Sequence, residues 1–314
     1  MFKYKNYYIE MSDSLLNIVL KNVRMVDEDR LNSYLNEYLE YLQKLDEYFE
    51  VTGKLLRLSG RHDAYVFGDI HGDLITLISF LQKIDVENIL KEEGNYLIFL
   101  GDYIDRGVYQ FETIIFLFLL QLMYKEKVIL LRGNHEPPEW LIPYPHDFPY
   151  HLRARYPGRW REFYNIFSRI FDNLPLSALC EDNVYFVHGG FSVKELDVDK
   201  YADPDREVLT ELLWNDPMDE YGVRPSYRGV GYLFGSDITS KFLAENGLNI
   251  IVRGHEPCNG YWWRHNNKIL TLFSRVGEPY YNRNASIAKM RLGSVISYRD
   301  VTIISMSRDD IPTL

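Results

Sequence analysis

Apolar residues along this chain fall into short, dense runs separated by longer amphipathic stretches. Residues 66–67, 96–100, 127–131, 184–187 and 250–252 are brief and rich in β-branched or aromatic side chains, which predicts buried strands rather than helices. Between the first three runs, residues 73–84 and 108–124 have helical spacing. The step from Asp69 to Asp102 to Asn134 is about 30 residues each time, the size of a βαβ unit, so the pattern predicts a parallel sheet. Upstream, residues 14–49 read as helix, with Leu31, Leu35, Tyr38, Leu39, Leu42, Leu45 and Phe49 at three- and four-residue spacing along one face that should pack on the domain. Downstream, the prolines and aromatics of 137–157 predict a loop near the site, followed by helices at 160–172 and 207–214. A turn-rich stretch reaches Arg228, and strands are expected at 268–273, 288–292 and 294–305.

Each of the five strand-like runs closes on a short polar motif. These are Gly68-Asp69-Ile70-His71-Gly72, Gly101-Asp102-Tyr103-Ile104-Asp105-Arg106-Gly107, Gly133-Asn134-His135-Glu136, His188-Gly189-Gly190 and Arg253-Gly254-His255. Polar residues at the C-termini of strands in an α/β pattern converge on one crevice, so five loops are expected to face one site. Carboxylate, imidazole and amide oxygen form a ligand set for divalent ions such as manganese, iron or zinc. Asp69 and His71 can face one ion, Asp102 can bridge two, and Asn134, His188 and His255 complete the second. Two such ions polarise a phosphoryl oxygen and acidify a water that attacks in line. His135, beside Asn134, is then the general acid, with Asp105 to orient and charge it. Arg106 and Arg228 offer planar donor forks to phosphate oxygens. Any one of these histidines alone would be an ordinary hydrogen-bonded residue; His71, His135, His188 and His255 together are half of the 8 in the chain, and each follows an apolar run.

Composition narrows the partners. A length of 314 residues with 46% hydrophobic and 25% charged residues suits one folded catalytic unit with a large core. The net charge of -10 argues against a general nucleic-acid binder, which needs an excess of Lys and Arg. Only Cys180 and Cys258 are present, so a disulfide framework is excluded and a cytoplasmic location expected. The first residues have no apolar core for a secretory signal, and the apolar run 111–123 is interrupted by Glu112 and Gln121, which predicts a buried crossover helix and no membrane partner.

The motifs resemble those of the phosphoprotein phosphatase family of metal-dependent protein serine/threonine phosphatases, within the calcineurin-like metallophosphoesterases. The resemblance runs from Ala64 to Met306 and includes Leu212-Leu213-Trp214-Asn215-Asp216-Pro217, residues 228–235 and Thr271-Leu272-Phe273-Ser274; the compact layout is similar to archaeal members. It implies an α/β fold (α+β in some schemes), a central β-sandwich of mixed sheets flanked by helices, with residues 1–60 as an N-terminal helical extension and 61–314 as the catalytic domain. Asp69, His71 and Asp102 would hold one metal, Asp102, Asn134, His188 and His255 the other, with manganese first and iron or zinc as alternatives. Asn134, Arg106 and Arg228 would bind phosphate, and His135 with Asp105 would form the acid pair. Phosphoserine and phosphothreonine in proteins are the implied substrates, regulatory proteins the implied partners, and a monomer the default; dinucleoside polyphosphates are the alternative substrate, and a catalytically silent scaffold the third reading. Relatives place a Tyr over the active site after Thr-Leu-Phe, where this chain has Glu278 in register and Tyr280 or Tyr281 nearby.

Overall fold

Two mixed sheets pack face to face in a computed structural model that describes residues 26–312 other than 61, 181 and 182, together with Val23 and the backbone of 3–4 and 7–8. The five-stranded sheet runs Val301–Ser307, Asn284–Arg291, Asp63–Phe67, Tyr96–Phe99, Val128–Leu130. Its last three strands are parallel, whereas the first two are antiparallel. The seven-stranded sheet runs Tyr261–Arg264, Ile269–Leu272, Ile250–Arg253, Val184–Val187, Ser177–Cys180, Leu55–Leu58, Glu50–Thr52, and it too mixes directions. The parallel sheet expected from the strand and helix alternation is therefore corrected to a mixed sandwich. In the five-stranded sheet, crossover helices enforce parallel pairing from Asp63–Phe67 to Val128–Leu130, while Asn284–Arg291 pairs with Val301–Ser307 through a direct antiparallel return.

Alternation along the seven-stranded sheet explains why it sits where it does. Leu56, Leu58, Ala178, Val184, Phe186, Ile250, Val252, Leu270 and Leu272 belong to one core with the five-stranded sheet and its helices. Their neighbours Leu55, Leu179, Tyr185, Val187, Ile251 and Ile269 point to a second core closed by the helices Arg206–Trp214 and Ser236–Glu245. Both faces are apolar because both are covered.

The helices Leu74–Lys83 and Gln110–Met123 connect the parallel strands, and Asp73 caps the first by accepting from the N–H of Thr76 at 3.1 Å. Nearly every side of Gln110–Met123 is buried, as expected of a crossover helix. No helix among the described residues is long and apolar enough to cross a membrane.

Within the expected 14–49 a helix spans Glu28–Leu42, preceded by the non-helical Val26 and Asp27. Residues 14–22 and 24–25 of that expectation lie outside the described residues. At its other end the helix stops at Gln43, and Leu45 and Phe49 reach the core through a 3₁₀ turn at Leu45–Glu47, because a tight turn satisfies the same three- and four-residue spacing. The helix packs on Trp160–Asn173 and Gln110–Met123, with the Tyr38 ring stacked on Phe118 at 3.9 Å. The strand expected at 294–305 begins only at Val301, since Ser297 and Asp300 form a capping box that fixes a 3₁₀ turn before it. Within the loop expected at 137–157 lies a further helix, Phe148–Arg155.

Candidate metal centre

The five motifs meet at the C-terminal ends of parallel strands from both sheets. Asp69 and His71 follow Asp63–Phe67, Asp102 follows Tyr96–Phe99, and Asn134 follows Val128–Leu130. His188 and His255 follow Val184–Val187 and Ile250–Arg253 of the other sheet. Gly68 lets the sheets approach: a Cβ there would lie 2.0 Å from the Leu272 carbonyl oxygen. At that seam the Gly68 N–H donates to Ser274 Oγ at 2.8 Å, and the Ser274 N–H donates to the Asp69 carbonyl at 3.1 Å.

The loops are wound tightly. His71, Asp102, Asp105, Arg106 and His255 all have φ between 45° and 75°, a conformation costly for residues with a Cβ and held here by dense hydrogen bonding. The N–H groups of Ile70 and His71 both donate to the Asp102 carbonyl, at 3.1 and 2.8 Å. Buried Glu136 ties the second motif to the third, accepting from the N–H groups of Asp102, Tyr103 and Gly133 at 2.8, 2.8 and 3.0 Å.

Side-chain polarity then fixes which atoms can bind a cation. His71 Nδ1 lies 2.8 Å from the Ile104 carbonyl and His188 Nδ1 lies 3.0 Å from that of Leu100; a carbonyl only accepts, so both Nδ1 atoms carry the proton. Each Nε2 therefore presents a lone pair. His71 Nε2 is 3.3 Å from Asp102 Oδ2 and 3.8 Å from Asp69 Oδ2; His188 Nε2 is 3.3 Å from Asp102 Oδ1 and 2.9 Å from Asn134 Oδ1. His255 Nδ1 also reaches Asn134 Oδ1, at 2.9 Å, and its Nε2 is buried without a hydrogen-bond partner. Burial pushes all three imidazoles down, which keeps them neutral. It pushes the Asp69 and Asp102 carboxyls up, and their mutual repulsion adds to the rise at Asp102.

Acceptors facing acceptors in a buried site repel one another unless a cation or a proton lies between them. Asp102 stands in both clusters, His71–Asp102–His135 and Asp102–His188–His255, each with ligand atoms within 4.8 Å of one another. This donor set fits two divalent cations sharing the Asp102 carboxylate, and the backing carbonyls on His71 and His188 are the usual orienters of a metal-binding imidazole.

Beside this centre, His135 Nδ1 lies 2.6 Å from Asp105 Oδ2, and its Nε2 is 3.4 Å from Arg106 Nη2. Burial alone would raise the Asp105 carboxyl, but hydrogen bonds from His135 and His146 outweigh it and hold the group well below the usual carboxylate range. Burial pushes His135 down, and Asp105 offsets only part of that fall. Arg228 Nε donates to Asp216 Oδ2 at 2.8 Å, and Asp216 Oδ1 accepts from the fully buried Arg253 at 2.6 Å. Asp216 Oδ2 also lies 3.9 Å from His255 Nε2, so the same carboxylate oxygen links Arg228 to the centre.

Several residues around the site carry no role in the sequence reading: Glu136, Asp216, Arg253, His146 and Arg275. Arg275 is buried and donates to the His71 carbonyl at 3.1 Å. Tyr280, with its ring 5.7 Å from that of His71 and stacked on it, covers the site, while Glu278 is exposed and Tyr281 is 70% exposed. The two-residue offset from Glu278 was visible in sequence, but which tyrosine turns inward depends on the turn at 277–282. Both cysteines are free, and burial pushes the Cys258 thiol up to about 12, so it is not a thiolate near neutral pH.

Residues 63–259 match the calcineurin-like phosphoesterase family. The chain belongs to that family. It is 37% identical over 224 residues to serine/threonine-protein phosphatase 5 of Solanum lycopersicum, an alignment covering 68% of this chain and 38% of that relative. Among solved structures it is similar to a protein serine/threonine phosphatase from Saccharomyces cerevisiae, with TM-score 0.74, 22% identity and coverage of 93% of this chain and 94% of that one. A cold-active protein-tyrosine phosphatase from Shewanella shares the fold at TM-score 0.52 and 16% identity, covering 78% and 79% of the two chains.

Proposed function

We propose that this phosphoesterase removes phosphate from phosphoserine and phosphothreonine in proteins. The observation that carries the reading is the juxtaposition of two buried Asp–His clusters sharing Asp102 with His135 Nε2 and Arg106, a donor set suited to metal with an acid and an anion-binding guanidinium beside it. The similarity to a serine/threonine-protein phosphatase favours a protein substrate over a small molecule.

In this reading Asp69, His71 and Asp102 would hold one ion, and Asp102, Asn134, His188 and His255 the second, with manganese preferred over iron or zinc. Bound there, the ions supply Lewis acidity toward a phosphoryl oxygen and a water made nucleophilic at neutral pH. Arg106, Arg228 and the Asn134 amide hold the phosphate oxygens. His135 gives a proton from Nε2 to the departing alkoxide, and Asp105 accepts from its Nδ1–H and steadies the imidazolium. A phosphate dianion next to His135 opposes the effect of burial and favours the protonated ring before cleavage. We assign this chemistry to residues 61–314, since every proposed ligand lies there, with the preceding segment as a packed extension. Phosphoproteins and regulatory proteins are the partners proposed, with a monomeric catalytic unit acting in the cytoplasm.

The test is phosphate release by metal-stripped protein re-supplied with manganese, on a phosphothreonine peptide and on diadenosine tetraphosphate. Peptide turnover that appears only with metal is the expected result. Turnover of the dinucleotide alone, or full peptide turnover without metal, defeats the proposal.

A further inference from the structure

The Asp105 carboxylate carries a second imidazole that proton donation by His135 does not by itself require. His146 Nδ1 lies 2.7 Å from Asp105 Oδ2, the same oxygen that His135 Nδ1 approaches at 2.6 Å. The other oxygen, Oδ1, accepts from the N–H groups of Asp147 and Phe148, each at 2.9 Å. Four donors thus share one buried carboxylate, which fixes both its position and its rotation. On its far side His146 Nε2 is 2.8 Å from the Tyr164 hydroxyl. With that hydroxyl donating to Nε2, it is Nδ1 that carries a proton, pointed at Asp105. The His146 side chain is 6% exposed, so it is a neighbour of the acid pair and not a group open to substrate. The residue before it adds a second link, because the Pro145 carbonyl accepts from Arg106 Nη1 at 2.7 Å.

We propose that His146 is a positioning residue for phosphoester cleavage: by clamping Asp105 between two imidazoles it fixes the ring plane and tautomer of His135, so that Nε2 faces the leaving-group oxygen. The inference rests on the role given to His135 above. An acid held out of line still binds substrate but delivers its proton late, so the defect falls on esters whose leaving alkoxide must be protonated. p-Nitrophenolate departs without that help.

The experiment compares wild type with His146→Ala, His146→Phe, His146→Asn and Tyr164→Phe on three substrates: a phosphothreonine peptide, β-glycerophosphate and p-nitrophenyl phosphate. His146→Phe keeps the ring volume without the donor and serves if the Ala variant does not fold. His146→Asn returns an amide N–H where Nδ1–H was. Loss of the donor is expected to lower kcat on the two alkyl esters about 10-fold or more, within the range general acid catalysis contributes, with KM and metal content little changed and p-nitrophenyl phosphate turnover nearly intact. The Asn variant should recover most of the loss, and Tyr164→Phe should show the same pattern more weakly. Equal losses on all three substrates, a defect confined to KM, or an Asn variant no better than Phe would overturn the proposal. If wild type cleaves β-glycerophosphate but not the peptide, the protein-substrate reading fails on its own, and the ratio of β-glycerophosphate to p-nitrophenyl phosphate still decides the role of His146.

Discussion

The two sheets contribute unequally to the centre. Three adjacent parallel strands of the five-stranded sheet carry Asp69, His71, Asp102 and Asn134, and with them His135, Asp105 and Arg106. Two adjacent parallel strands of the seven-stranded sheet carry His188 and His255, backed by Asp216, Arg253 and Glu256. One side therefore holds the proposed proton-transfer groups, and the other supplies neutral imidazoles beside buried guanidinium charge. The antiparallel strands of both sheets supply none of the proposed ligands. Parallel neighbours place their C-terminal loops at one edge, whereas an antiparallel neighbour sends its loop to the opposite edge. The centre exists only because both parallel sets end at the same seam.

Breaking the proton-transfer side alone should have the largest effect. His135→Asn is expected to lower kcat on phosphothreonine peptide about 10²- to 10⁴-fold while leaving bound metal unchanged, measured by phosphate release and elemental analysis. Asp102→Asn, whose carboxylate faces both clusters, should lose metal as well as activity. A His135→Asn enzyme with normal kcat would remove the acid from this half and leave the division of labour without support.

Breaking the seam itself should cost stability. Phe186 is 0% exposed, lies on the face of its strand that joins the shared core, and precedes His188 by two residues. Phe186→Ala is expected to destabilise the fold by about 3–5 kcal/mol in chemical denaturation. A loss below about 1 kcal/mol would mean that the site can collapse around the deletion and that the seam is softer than its packing implies.

Arg228→Ala tests the charged side. Hydrogen bonds to charged groups contribute about 1.5–3 kcal/mol, so KM for peptide should rise about 10-fold to 150-fold with a smaller change in kcat. Arg106→Ala should instead affect both constants, since that guanidinium also touches His135. Identical profiles for the two variants would erase the distinction between the sides.

Much of this was legible in the chain. All five motifs follow strands, the crossover helices fall where the spacing put them, and Asp73 begins its helix as a cap. What stayed hidden depends on contacts between segments far apart in sequence. Asp69 accepts from the N–H of His255, 186 residues away, and no local pattern encodes that pairing. His146 sat inside a proline-rich loop without periodicity, and its link to Asp105 exists only because the loop folds back across 41 residues. The mixed direction of the strands was implied by the family resemblance and not by the apolar pattern, since strands covered on both faces read as continuous apolar runs whichever way their neighbours point.

The smallest expected effect asks whether the two sides unfold together. Tyr103, beside Asp102, donates its hydroxyl to the Leu131 carbonyl at 2.6 Å; Tyr201, under the seven-stranded sheet, donates to that of Glu195 at 2.7 Å. Burial first, and then Glu136 for Tyr103 and Tyr185 for Tyr201, raises both phenols above the ordinary value of 10.0. The folded state then holds these protons more tightly than the unfolded chain. Their contribution to stability is complete below about pH 10 and declines as pH rises beyond it toward the folded values. Each Tyr→Phe change should cost about 1 kcal/mol at pH 7 and flatten the alkaline decline, read by circular dichroism alongside phenolate absorbance. If both variants shift one common transition, the sandwich is a single cooperative unit. If Tyr103→Phe moves only a transition that reports the metal centre, the five-stranded half opens by itself, and the seam that joins Asp69 to Phe273 is where the molecule parts first.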